Sequence, residues 1–509
     1  MPRRPHAVEL PPIGELDRSS GQLGRQLAQA LRDAIRAGNL KPGDLLPSSR
    51  LLADSLGIAR GTVTEAYEQL SAEGFLESRP RAGTRVASAL ASQRVMDMSM
   101  GSGARKRPAK APPIAMPEPA PAFARIAAQF KPLPQVPFAV SVPAGPAAPD
   151  ETWRRLGNRL RARGSGAPSG YGDPQGVKAL REAVADYVRR SRSVQCSADQ
   201  VVIMSGTQQG LHVACQVLLG ATDIAWVEDP AYRGITGILE GMGRQDRMVR
   251  VPVDDAGIDV DAGIAMAANA RAAFVTPSHQ YPLGMPMSTA RRNALLDWAR
   301  KNGAWIVEDD YDSELRFAGH PFPSLQGLAP DRVVYLGTFS KILFPSLRLG
   351  YAIVPEVLVQ AFCGARLLMD RHSPSADQHV LAAFMKEGHL DRHIRRIRSV
   401  YADRRTQLIT MLKRWIPADL AWLQPSDQGM HMVLWLAHGM DDTLLASRAL
   451  EAGVAVRAVS PMYSAGNGRS GLVLGLGGFS NEQMEAAVHI LAAIIASMKK
   501  VRPRRRASA

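Results

Sequence analysis

Apolar residues recur at every fourth position near the start of the chain. Leu23, Leu27, Leu31 and Ile35 follow this spacing, and the pattern stops at Gly38. Residues four apart lie on one face of an α-helix, and glycine is the residue that most often follows a helix end. The pattern predicts a helix whose apolar stripe packs against a small core.

Two further helices are predicted directly downstream. Ser48 or Ser49 can cap a helix over residues 50–56, which stops at Gly57. A third helix begins at Arg60, and four apolar residues share its inward face: Val63, Ala66, Tyr67 and Leu70. Two helices joined by a tight turn, with basic and polar residues opening the second, are typical of the helix-turn-helix that enters the major groove of DNA.

A basic β-hairpin is predicted after the third helix. Residues 75–78 and 84–87 are short strand patterns, and residues 79–83 supply the proline and glycine of a turn. A hairpin at this place would form the wing of a winged helix-turn-helix unit.

The longer remainder of the chain shows the pattern of an α/β domain. Short, almost wholly apolar runs at residues 201–204, 272–275, 304–307 and 333–336 predict buried strands. Each run leads into small, acidic or hydroxyl-bearing residues, which is where ligands bind at the strand ends of such domains. The candidate chemistry therefore lies in the segments that follow these strands.

Lys341 stands in the most informative of these segments. Thr338 and Ser340 precede it, and Arg348 follows seven positions later. A lysine can condense with an aldehyde while hydroxyl groups and a guanidinium hold a phosphate, and pyridoxal 5′-phosphate is the cofactor with both groups. A lysine near a strand end is more often an ordinary surface residue, so the assignment depends on the other segments.

Three other segments complete a possible cofactor site. The turn at residues 205–210 joins a strand to a helix start, whose free N–H groups can cradle a phosphate. A carboxylate in the acidic loop at residues 308–312 can pair with a pyridinium nitrogen, and a tyrosine two residues on can bond the ring hydroxyl. Tyr232 can lie over the ring. Each segment alone is more often a solvated turn or a core residue. Their order along the chain favours the cofactor.

In this order the segments resemble the large domain of fold-type I aminotransferases, over roughly residues 120–500. The resemblance implies that Lys341 forms the internal aldimine, that Asp309 pairs with the pyridine nitrogen and Tyr311 with the ring hydroxyl, and that Tyr232 stacks on the ring. The residues that it assigns to the phosphate are Thr207, Gln208, Thr338, Ser340 and Arg348.

Residues 21–87 closely resemble the GntR-type winged-helix domain. The resemblance rests on the Leu-Pro-Ser-Ser-Arg stretch, the Arg-Gly-Thr-Val turn and the run from Ala66 to Leu76. It implies contacts to DNA from the helices and the wing: Arg50, Arg60, Thr62, Thr64, Arg79, Arg81, Gly83 and Thr84. Any one of these arginines alone is more often a solvated helix residue.

Composition and charge fit two modules and a polyanionic partner. With 509 residues the chain exceeds a single core, and its formal net charge of +15 favours double-stranded DNA. We predict a winged helix over 15–88, a linker over 89–121, an aminotransferase-like domain over 122–498 and a basic tail over 499–509. The three cysteines lack metal-ligand spacing, so no metal site is expected. Without a signal peptide or a long apolar span, the sequence predicts a cytoplasmic protein and no membrane partner.

The two modules on one chain resemble the MocR-type transcriptional regulators. The fold class is therefore multidomain: an α+β winged helix-turn-helix, then an α/β fold-type I transferase-like domain with a smaller C-terminal α/β subdomain. The resemblance implies a regulator that senses a small amino compound or the cofactor itself, and head-to-tail homodimers.

Two departures from the aminotransferase pattern leave an alternative open. Tyr281 replaces the asparagine of Asn-Pro-x-Gly, and Val473 aligns with the arginine that clamps the substrate carboxylate. Arg457 lies close to Val473 in sequence and Arg233 follows Tyr232, so a different carboxylate or phosphate contact stays open. His431 is expected to be a core histidine. The second reading is a PLP-dependent aminotransferase with an appended DNA-binding domain, and Val473 disfavours it.

Overall fold

The structure is a computed structural model, and it describes residues 13–14, 16–79, 83–87, 117, 120–129, 134–140, 142–143, 149–164, 170–319, 322–464 and 468–499. The chain divides into two compact units, residues 1–114 and 115–509. The predicted linker (89–121) and basic tail (499–509) fall almost entirely outside the described residues. Among the residues described, no helix is long and apolar enough to cross a membrane.

The first unit is a three-helix winged helix, as predicted. Its elements are α1 (Leu23–Ala37), α2 (Ser49–Leu56), α3 (Arg60–Ala72), β1 (Leu76–Arg79) and β2 (Gly83–Val86). Of the two candidate caps, Ser48 is the one whose side chain accepts a hydrogen bond, from the Leu51 N–H at 3.3 Å. The four apolar residues predicted for the inward face of α3 are all buried. They pack in one core with α1, in which Leu27 and Leu31 are fully buried, Ile35 is nearly so and Leu23 is half-buried.

The second unit is built on an eight-stranded sheet. Its strands are β3 (Val201–Met204), β4 (Ala225–Asp229), β5 (Met248–Asp254), β6 (Gly257–Ile258), β7 (Ala272–Val275), β8 (Trp305–Asp310), β9 (Val333–Thr338) and β10 (Gly350–Ile353). The order across the sheet is β3-β10-β9-β8-β7-β4-β5-β6. Strands β9, β8, β7, β4 and β5 run parallel, whereas β10 is antiparallel to both of its neighbours.

Both faces of this sheet are covered. Along β4, Ala225 and Val227 pack into one apolar cluster, and Trp226 between them packs into another. Burial on both faces explains why these strands are almost continuous apolar runs in the sequence. The helices of this unit are α4 (Ala120–Gln129), α5 (Asp150–Ala162), α6 (Lys178–Arg192), α7 (Thr207–Leu218), α8 (Arg233–Gly241), α9 (Val260–Ala267), α10 (Thr289–Asn302), α11 (Leu325–Leu328), α12 (Val359–Asp370), α13 (Ser375–Lys386), α14 (His389–Trp415), α15 (Asp442–Glu451) and α16 (Asn481–Lys499).

A smaller antiparallel sheet follows the long helix α14. Its strands are β11 (Ala421–Leu423), β12 (His431–Leu436), β13 (Arg457–Ala458) and β14 (Gly471–Gly475), in the order β11-β12-β14-β13. Helices α15 and α16 belong to the same subdomain, and Leu445 of α15 and Val488 of α16 are fully buried in its core. This is the smaller C-terminal subdomain that the sequence predicts.

Candidate cofactor cavity and DNA-binding surface

The strand ends of the large sheet converge on one edge. Parallel strands place their carboxyl ends together, and the segments after β3, β4, β7, β8 and β9 all leave the sheet there. A cavity of about 270 Å³ lies at this edge. All nine residues predicted to hold the cofactor line it: Thr207, Gln208, Tyr232, Asp309, Tyr311, Thr338, Ser340, Lys341 and Arg348. The fold thus brings together residues that are distant in sequence.

Two residues of the cavity, Lys341 and Asp309, have pKa values that are shifted from their ordinary values. Burial lowers the pKa of Lys341 to about 8, although the carboxylates of Asp312 and Asp309 act in the opposite direction. Burial, together with neighbouring Asp310, raises the pKa of Asp309 to about 7. The Oδ1 atom of Asp309 is buried without a hydrogen-bond partner among the described residues. A buried, unpaired carboxylate oxygen is costly, so this atom is suited to a ligand.

One end of the cavity is shaped to accept an anion. Helix α7 begins there at Thr207, with Gly206 before it at φ 100°, a conformation that favours glycine. Arg348, itself at φ 49°, donates from Nη2 to the Ser205 carbonyl oxygen at 2.5 Å. The Ser340 hydroxyl is buried and has no partner among the residues described. A helix N-terminus, a guanidinium and a free hydroxyl together favour a phosphate.

Tyrosine side chains form the aromatic wall of the cavity. The rings of Tyr232 and Tyr281 are 5.8 Å apart and nearly perpendicular, and those of Tyr281 and Tyr311 are 6.1 Å apart. The Tyr232 hydroxyl donates to Oε1 of Gln208 at 3.0 Å. Tyr281, at the position of the missing asparagine, therefore lies between the two tyrosines that the sequence predicts.

Behind Tyr311 lies a buried polar group that the sequence reasoning missed. The Tyr311 hydroxyl is 3.1 Å from Nδ1 of His279, which is 3.0 Å from Oδ2 of Asp312. Burial acts to raise the pKa of Asp312, but His279, His431 and the Met430 N–H together outweigh it, and the pKa lies below its ordinary value. Burial and His279 lower the pKa of His431 to about 3, so that ring stays neutral. The sequence did contain a signal for this group. His279 follows β7, Asp312 follows β8, and His431 is the first residue of β12.

His431 is a core histidine, as the sequence predicts. It is buried, and its Nε2 bonds the Pro282 carbonyl oxygen at 3.0 Å. With His279 and Asp312 it forms a buried group whose ligand-type atoms lie within 4.8 Å of one another. Within this group His279 bonds Asp312, and the same His279 nitrogen lies 3.1 Å from the Tyr311 hydroxyl, so the group is held beside Tyr311.

Two of the cavity arginines differ in their surroundings. Arg233 is bound by both oxygens of Glu240, each at 2.7 Å, and also contacts Thr236. Arg457 lines the same cavity, and in the β13–β14 pair it is the direct partner of Val473. Val473 itself is fully buried in an apolar cluster and does not line the cavity.

In the first unit, the helix residues predicted to contact DNA fall on α2 and the start of α3. Arg50 and Arg60 are exposed, and Arg60 Nε donates to Ser49 Oγ at 3.3 Å. Thr64 is exposed and its hydroxyl donates to the Arg60 carbonyl oxygen at 3.1 Å, whereas Thr62 is half-buried. The Arg60 side chain thus reaches from α3 to Ser49, the residue before Arg50, and both arginines are exposed to solvent.

The wing is described only in part. Strands β1 and β2 pair antiparallel, with Arg79 opposite Gly83. Gly83 is exposed at φ 78°, and Thr84 is half-buried with its carbonyl oxygen bonded by the Leu46 N–H at 2.8 Å. Arg81 and the side chain of Arg79 lie outside the described residues.

Comparison with known proteins matches both units. The family of class I and II aminotransferases matches residues 134–491, and the gntR family of bacterial regulatory proteins matches residues 23–86. The "Probable rhizopine catabolism regulatory protein MocR" of Rhizobium meliloti is 36% identical over 94% of this chain and 94% of its own length. The chain belongs to the MocR family of regulators. Its large unit belongs to the class I and II aminotransferases.

A second regulator and a solved aminotransferase structure are also similar to this chain. The pyridoxine biosynthesis transcriptional regulator PdxR of Corynebacterium glutamicum is 32% identical over 90% of this chain and 93% of its own. The crystal structure of LysN, an α-aminoadipate aminotransferase of Thermus thermophilus complexed with N-(5'-phosphopyridoxyl)-L-leucine, superimposes with a TM-score of 0.66 at 28% identity. It covers 74% of this chain and 95% of LysN. The fold-type I architecture predicted from the sequence is confirmed.

Proposed function

We propose that this MocR-family chain is a DNA-binding transcriptional regulator whose large unit binds pyridoxal 5′-phosphate and senses an amino compound, or the cofactor itself. One observation carries the proposal. The chain joins an exposed helix-turn-helix to a cavity that holds a half-buried lysine and unpaired polar atoms. A regulator needs both parts, whereas a metabolic enzyme needs only the second.

The residues present fit pyridoxal phosphate. Oδ1 of Asp309 and Oγ of Ser340 are buried and have no hydrogen-bond partner in the part of the chain that the structure describes, and both residues line the cavity. Asp309 would pair with the pyridine nitrogen, and a positive partner would hold it ionised despite a pKa of about 7 in its absence. Tyr311 would bond the ring hydroxyl, and its own hydroxyl is kept in place by His279 at 3.1 Å.

The phosphate of the cofactor would lie at the start of α7. Its ligands would be Thr207, Gln208, Thr338, Ser340 and Arg348, and Tyr232 would stack on the ring. Lys341 would attach the cofactor covalently, and its pKa of about 8 makes the amine available as a nucleophile near neutral pH. When bound, the cofactor supplies an electron-withdrawing ring that can bond reversibly to an incoming amine.

The DNA-binding surface would use both helices and the wing. Arg60, Thr62 and Thr64 lie in the first turns of α3, where the base edges of the major groove would be read. Arg50 on α2 follows Ser49, whose hydroxyl accepts from Arg60. From the wing we assign contacts to Arg79, Arg81, Gly83 and Thr84. The net charge of +15 supports binding to a polyanion.

The organisation of the chain follows from this function. We retain the limits 15–88 for the winged helix, 89–121 for the linker, 122–498 for the cofactor domain and 499–509 for the tail. A head-to-tail homodimer would present two reading heads to two half-sites, and a cytoplasmic location would give access to the chromosome. Sedimentation should then show a dimer, and the binding site should be a repeated sequence.

An active aminotransferase is the second candidate, because the cavity contains a complete set of cofactor residues. Val473 argues against it. Its side chain is fully buried among apolar residues, so the usual clamp on the α-carboxylate is absent. Poor orientation of the reacting bond can reduce the rate on the order of 100-fold or more. Keto-acid formation from common amino acids at roughly 1 per second would favour the enzyme.

The test of the proposed function compares Lys341→Ala with the original chain. The original, loaded with pyridoxal phosphate, should absorb in the near-visible region and lose that band on borohydride reduction. The variant should lack the band but retain binding to DNA, since the two functions lie in different units. An unchanged spectrum in the variant would contradict the assignment of Lys341 to the cofactor. Absence of specific DNA binding by the original chain would contradict the regulatory function.

A further inference from the structure

The hydroxyl of Tyr311 and the carboxylate of Asp312 approach the same nitrogen of His279. Nδ1 of His279 is 3.1 Å from the Tyr311 hydroxyl oxygen, 3.1 Å from Oδ1 of Asp312 and 3.0 Å from Oδ2. A ring nitrogen either carries a proton and donates or carries a lone pair and accepts. It cannot donate to Asp312 and accept from Tyr311 at the same time. The position of one proton therefore decides the direction of both hydrogen bonds.

Two observations place this proton on Nδ1. Burial acts to raise the pKa of Asp312, but His279, His431 and the Met430 N–H together outweigh it, so the carboxylate is ionised at neutral pH and only accepts. Nε2 of His279 is buried and has no hydrogen-bond partner among the residues that the structure describes. A proton on Nε2 would leave a buried N–H without an acceptor and would take a donor away from a buried carboxylate.

Close packing holds the His279 ring in this orientation. A Cβ atom on Gly429 would overlap the ring, and a Cβ atom on Gly284 would lie 3.2 Å from Nε2. The backbone therefore lies directly against the ring, and the His279 side chain is only 2% exposed. Nδ1 stays turned toward Asp312 and Tyr311.

The proton of the Tyr311 hydroxyl is then free for another acceptor. Because Nδ1 of His279 carries a proton, the Tyr311 oxygen accepts from it. Within the described part of the chain, the Tyr311 hydroxyl forms no other hydrogen bond. Tyr311 lines the cofactor cavity, so its O–H bond is available to an oxygen atom of a ligand there. The hydrogen bond from His279 strengthens Tyr311 as a donor, since linked hydrogen bonds polarise one another.

We propose that Asp312 and His279 are positioning residues that turn the Tyr311 hydroxyl proton into the cavity, so that Tyr311 donates to the ring oxygen of bound pyridoxal phosphate. Neither Asp312 nor His279 lines the cavity, so both act through Tyr311. This inference rests on the proposed function and deepens it, because it fixes which partner donates in the contact between Tyr311 and the cofactor.

The direction of this hydrogen bond has a measurable consequence at Lys341. In the attached cofactor, the nitrogen of Lys341 is a neighbour of the ring oxygen and shares its proton with it. A donor from Tyr311 stabilises negative charge on that oxygen, so the oxygen holds the shared proton less strongly. Loss of the donor should therefore raise the pH at which the nitrogen loses its proton by about one unit, a tenfold change in proton affinity.

Other charged and titratable groups act on the same two side chains. Those that act on Tyr311 are Asp312, Tyr281, Asp309 and Glu228, and those that act on Lys341 are Asp312, Asp309, Arg348 and Arg457. His431 lies against His279, with ring centroids 4.7 Å apart. The charge of Asp312 also favours the protonated form of Lys341 directly. Removal of this charge lowers the proton affinity of Lys341 whether or not Tyr311 is present, so a comparison with and without the Tyr311 hydroxyl cancels it.

The experiment measures the midpoint pH of the near-visible band in the full-length protein loaded with pyridoxal phosphate. It compares the original chain, Asp312→Asn, Tyr311→Phe and the double variant. Asparagine can accept from the Met430 N–H through its carbonyl and donate to Nδ1 through its NH₂ group, which moves the ring proton to Nε2. The shift caused by Asp312→Asn should be about one pH unit more positive in the original chain than in the Tyr311→Phe background. Equal shifts in the two backgrounds would overturn the inference.

Two variants of His279 provide a second test with Asp312 in place. His279→Leu removes the donor, whereas His279→Asn carries an amide N–H close to the position of Nδ1. The midpoint of the leucine variant should lie about one pH unit above that of the asparagine variant. Asp427→Asn is the matched control, because Asp427 is 70% exposed and lies outside the cavity, and it should leave the midpoint unchanged. The same midpoint in both His279 variants would contradict the role of Nδ1.

Failure of this inference can be told apart from failure of the proposed function. If the original chain forms no near-visible band, the proposed function fails and this inference fails with it. If the band forms and Asp312→Asn shifts its midpoint equally in both backgrounds, only the roles of Asp312 and His279 fail. The band of each variant also shows that the variant is folded and loaded. If Asp312→Asn does not load, the two His279 variants decide.

Discussion

The two units place their functional side chains in opposite surroundings. In the winged helix, Arg50 and Arg60 are exposed and lie within one short stretch of chain. In the large unit, Asp309 and Ser340 are buried, and the segments that supply the cavity are spread along most of the domain. The arginines of the DNA-binding surface are solvated until DNA binds, whereas Asp309 and Ser340 of the cofactor cavity are already buried before any ligand binds.

This contrast separates folding from binding. An exposed arginine is solvated in the absence of DNA, so its removal should change affinity and leave stability nearly unaltered. A buried charge is retained only because its partners compensate for lost hydration, so its removal should change stability first. The predictions below test this division, beginning with the largest effect.

The largest effect is expected at the buried ion pair behind the cavity. Arg192 Nε donates to Oδ2 of Asp310 at 2.8 Å and Nη2 donates to Ser278 Oγ at 2.6 Å, and the two side chains of the pair are 4% and 1% exposed. Arg192→Met leaves the buried carboxylate of Asp310 without its cationic partner, although the hydroxyls of Ser313 and Tyr335 still donate to it. The change should cost about 3–5 kcal/mol of unfolding free energy. All seven tryptophans lie between residues 153 and 435, so tryptophan fluorescence during urea unfolding reports on the large unit.

Arg190→Met is the matched control for this change. Arg190 lies on the same helix, α6, but is exposed, and its contact with Asp391 is 3.6 Å between exposed atoms. The control should change stability by only about 0–1 kcal/mol. Equal effects of the two variants would contradict the distinction between buried and exposed charge in this molecule.

The next prediction concerns the pH dependence of Lys341 before the cofactor binds. Its folded pKa of about 8 lies below the usual 10.5, so the neutral amine is the form favoured by folding. Protonation of the folded state is therefore disfavoured, and stability should rise with pH between about 8 and 10.5. Cofactor uptake by the apo-protein should follow the neutral amine, with a midpoint near pH 8. At pH 7.5 that leaves roughly a quarter of the lysines reactive, instead of about one in a thousand.

Stopped-flow absorbance at constant ionic strength would measure this profile. Free Nα-acetyl-lysine is the control, and its reaction with pyridoxal phosphate should show a midpoint near that of an exposed lysine. If uptake by the protein followed the same curve as the free lysine, burial would not activate Lys341.

The difference between the units also explains how much could be predicted from the sequence. The winged helix depends on local spacing, so its inward residues follow from the pattern, which also narrows the cap of α2 to Ser48 or Ser49. The strand ends and Lys341 were also predictable, because nearly continuous apolar runs mark buried parallel strands. The partnership of Arg457 with Val473 was not, because strand register between distant segments is set by the fold.

The same reason applies to the group behind Tyr311. His279, Asp312 and His431 come from three separate segments, and each alone is an ordinary core or loop residue. Their contact depends on how the small sheet packs against the large one. Sequence spacing within a helix or hairpin contains no information on such a contact.

The third prediction concerns DNA recognition by the exposed residues of the winged helix. Replacing Arg60 and Thr62 together with alanine should reduce affinity for a selected DNA site by roughly 10- to 100-fold or more, since each base contact contributes about 1–3 kcal/mol. Non-specific binding, cofactor absorption and urea stability should be nearly unchanged. Arg25→Ala, which removes an exposed charge from α1, is the control. Loss of the cofactor band in the double variant would show that the division between the units is wrong.

The smallest effect is expected at the N-terminus of α2. The Ser48 hydroxyl accepts a hydrogen bond from the Leu51 N–H at 3.3 Å, and the serine backbone is extended at φ −60° and ψ 151°, the usual geometry of a capping residue. Ser48→Ala removes this acceptor and should cost about 1 kcal/mol, whereas Ser48→Asp keeps one. Because α2 packs on α3, the amides of residues 49–56 should exchange with deuterium roughly fivefold faster in the alanine variant. Exchange in the large unit should not change. Equal exchange in the alanine and aspartate variants would mean that α2 is stabilised by packing of Leu52 and Ala53 alone.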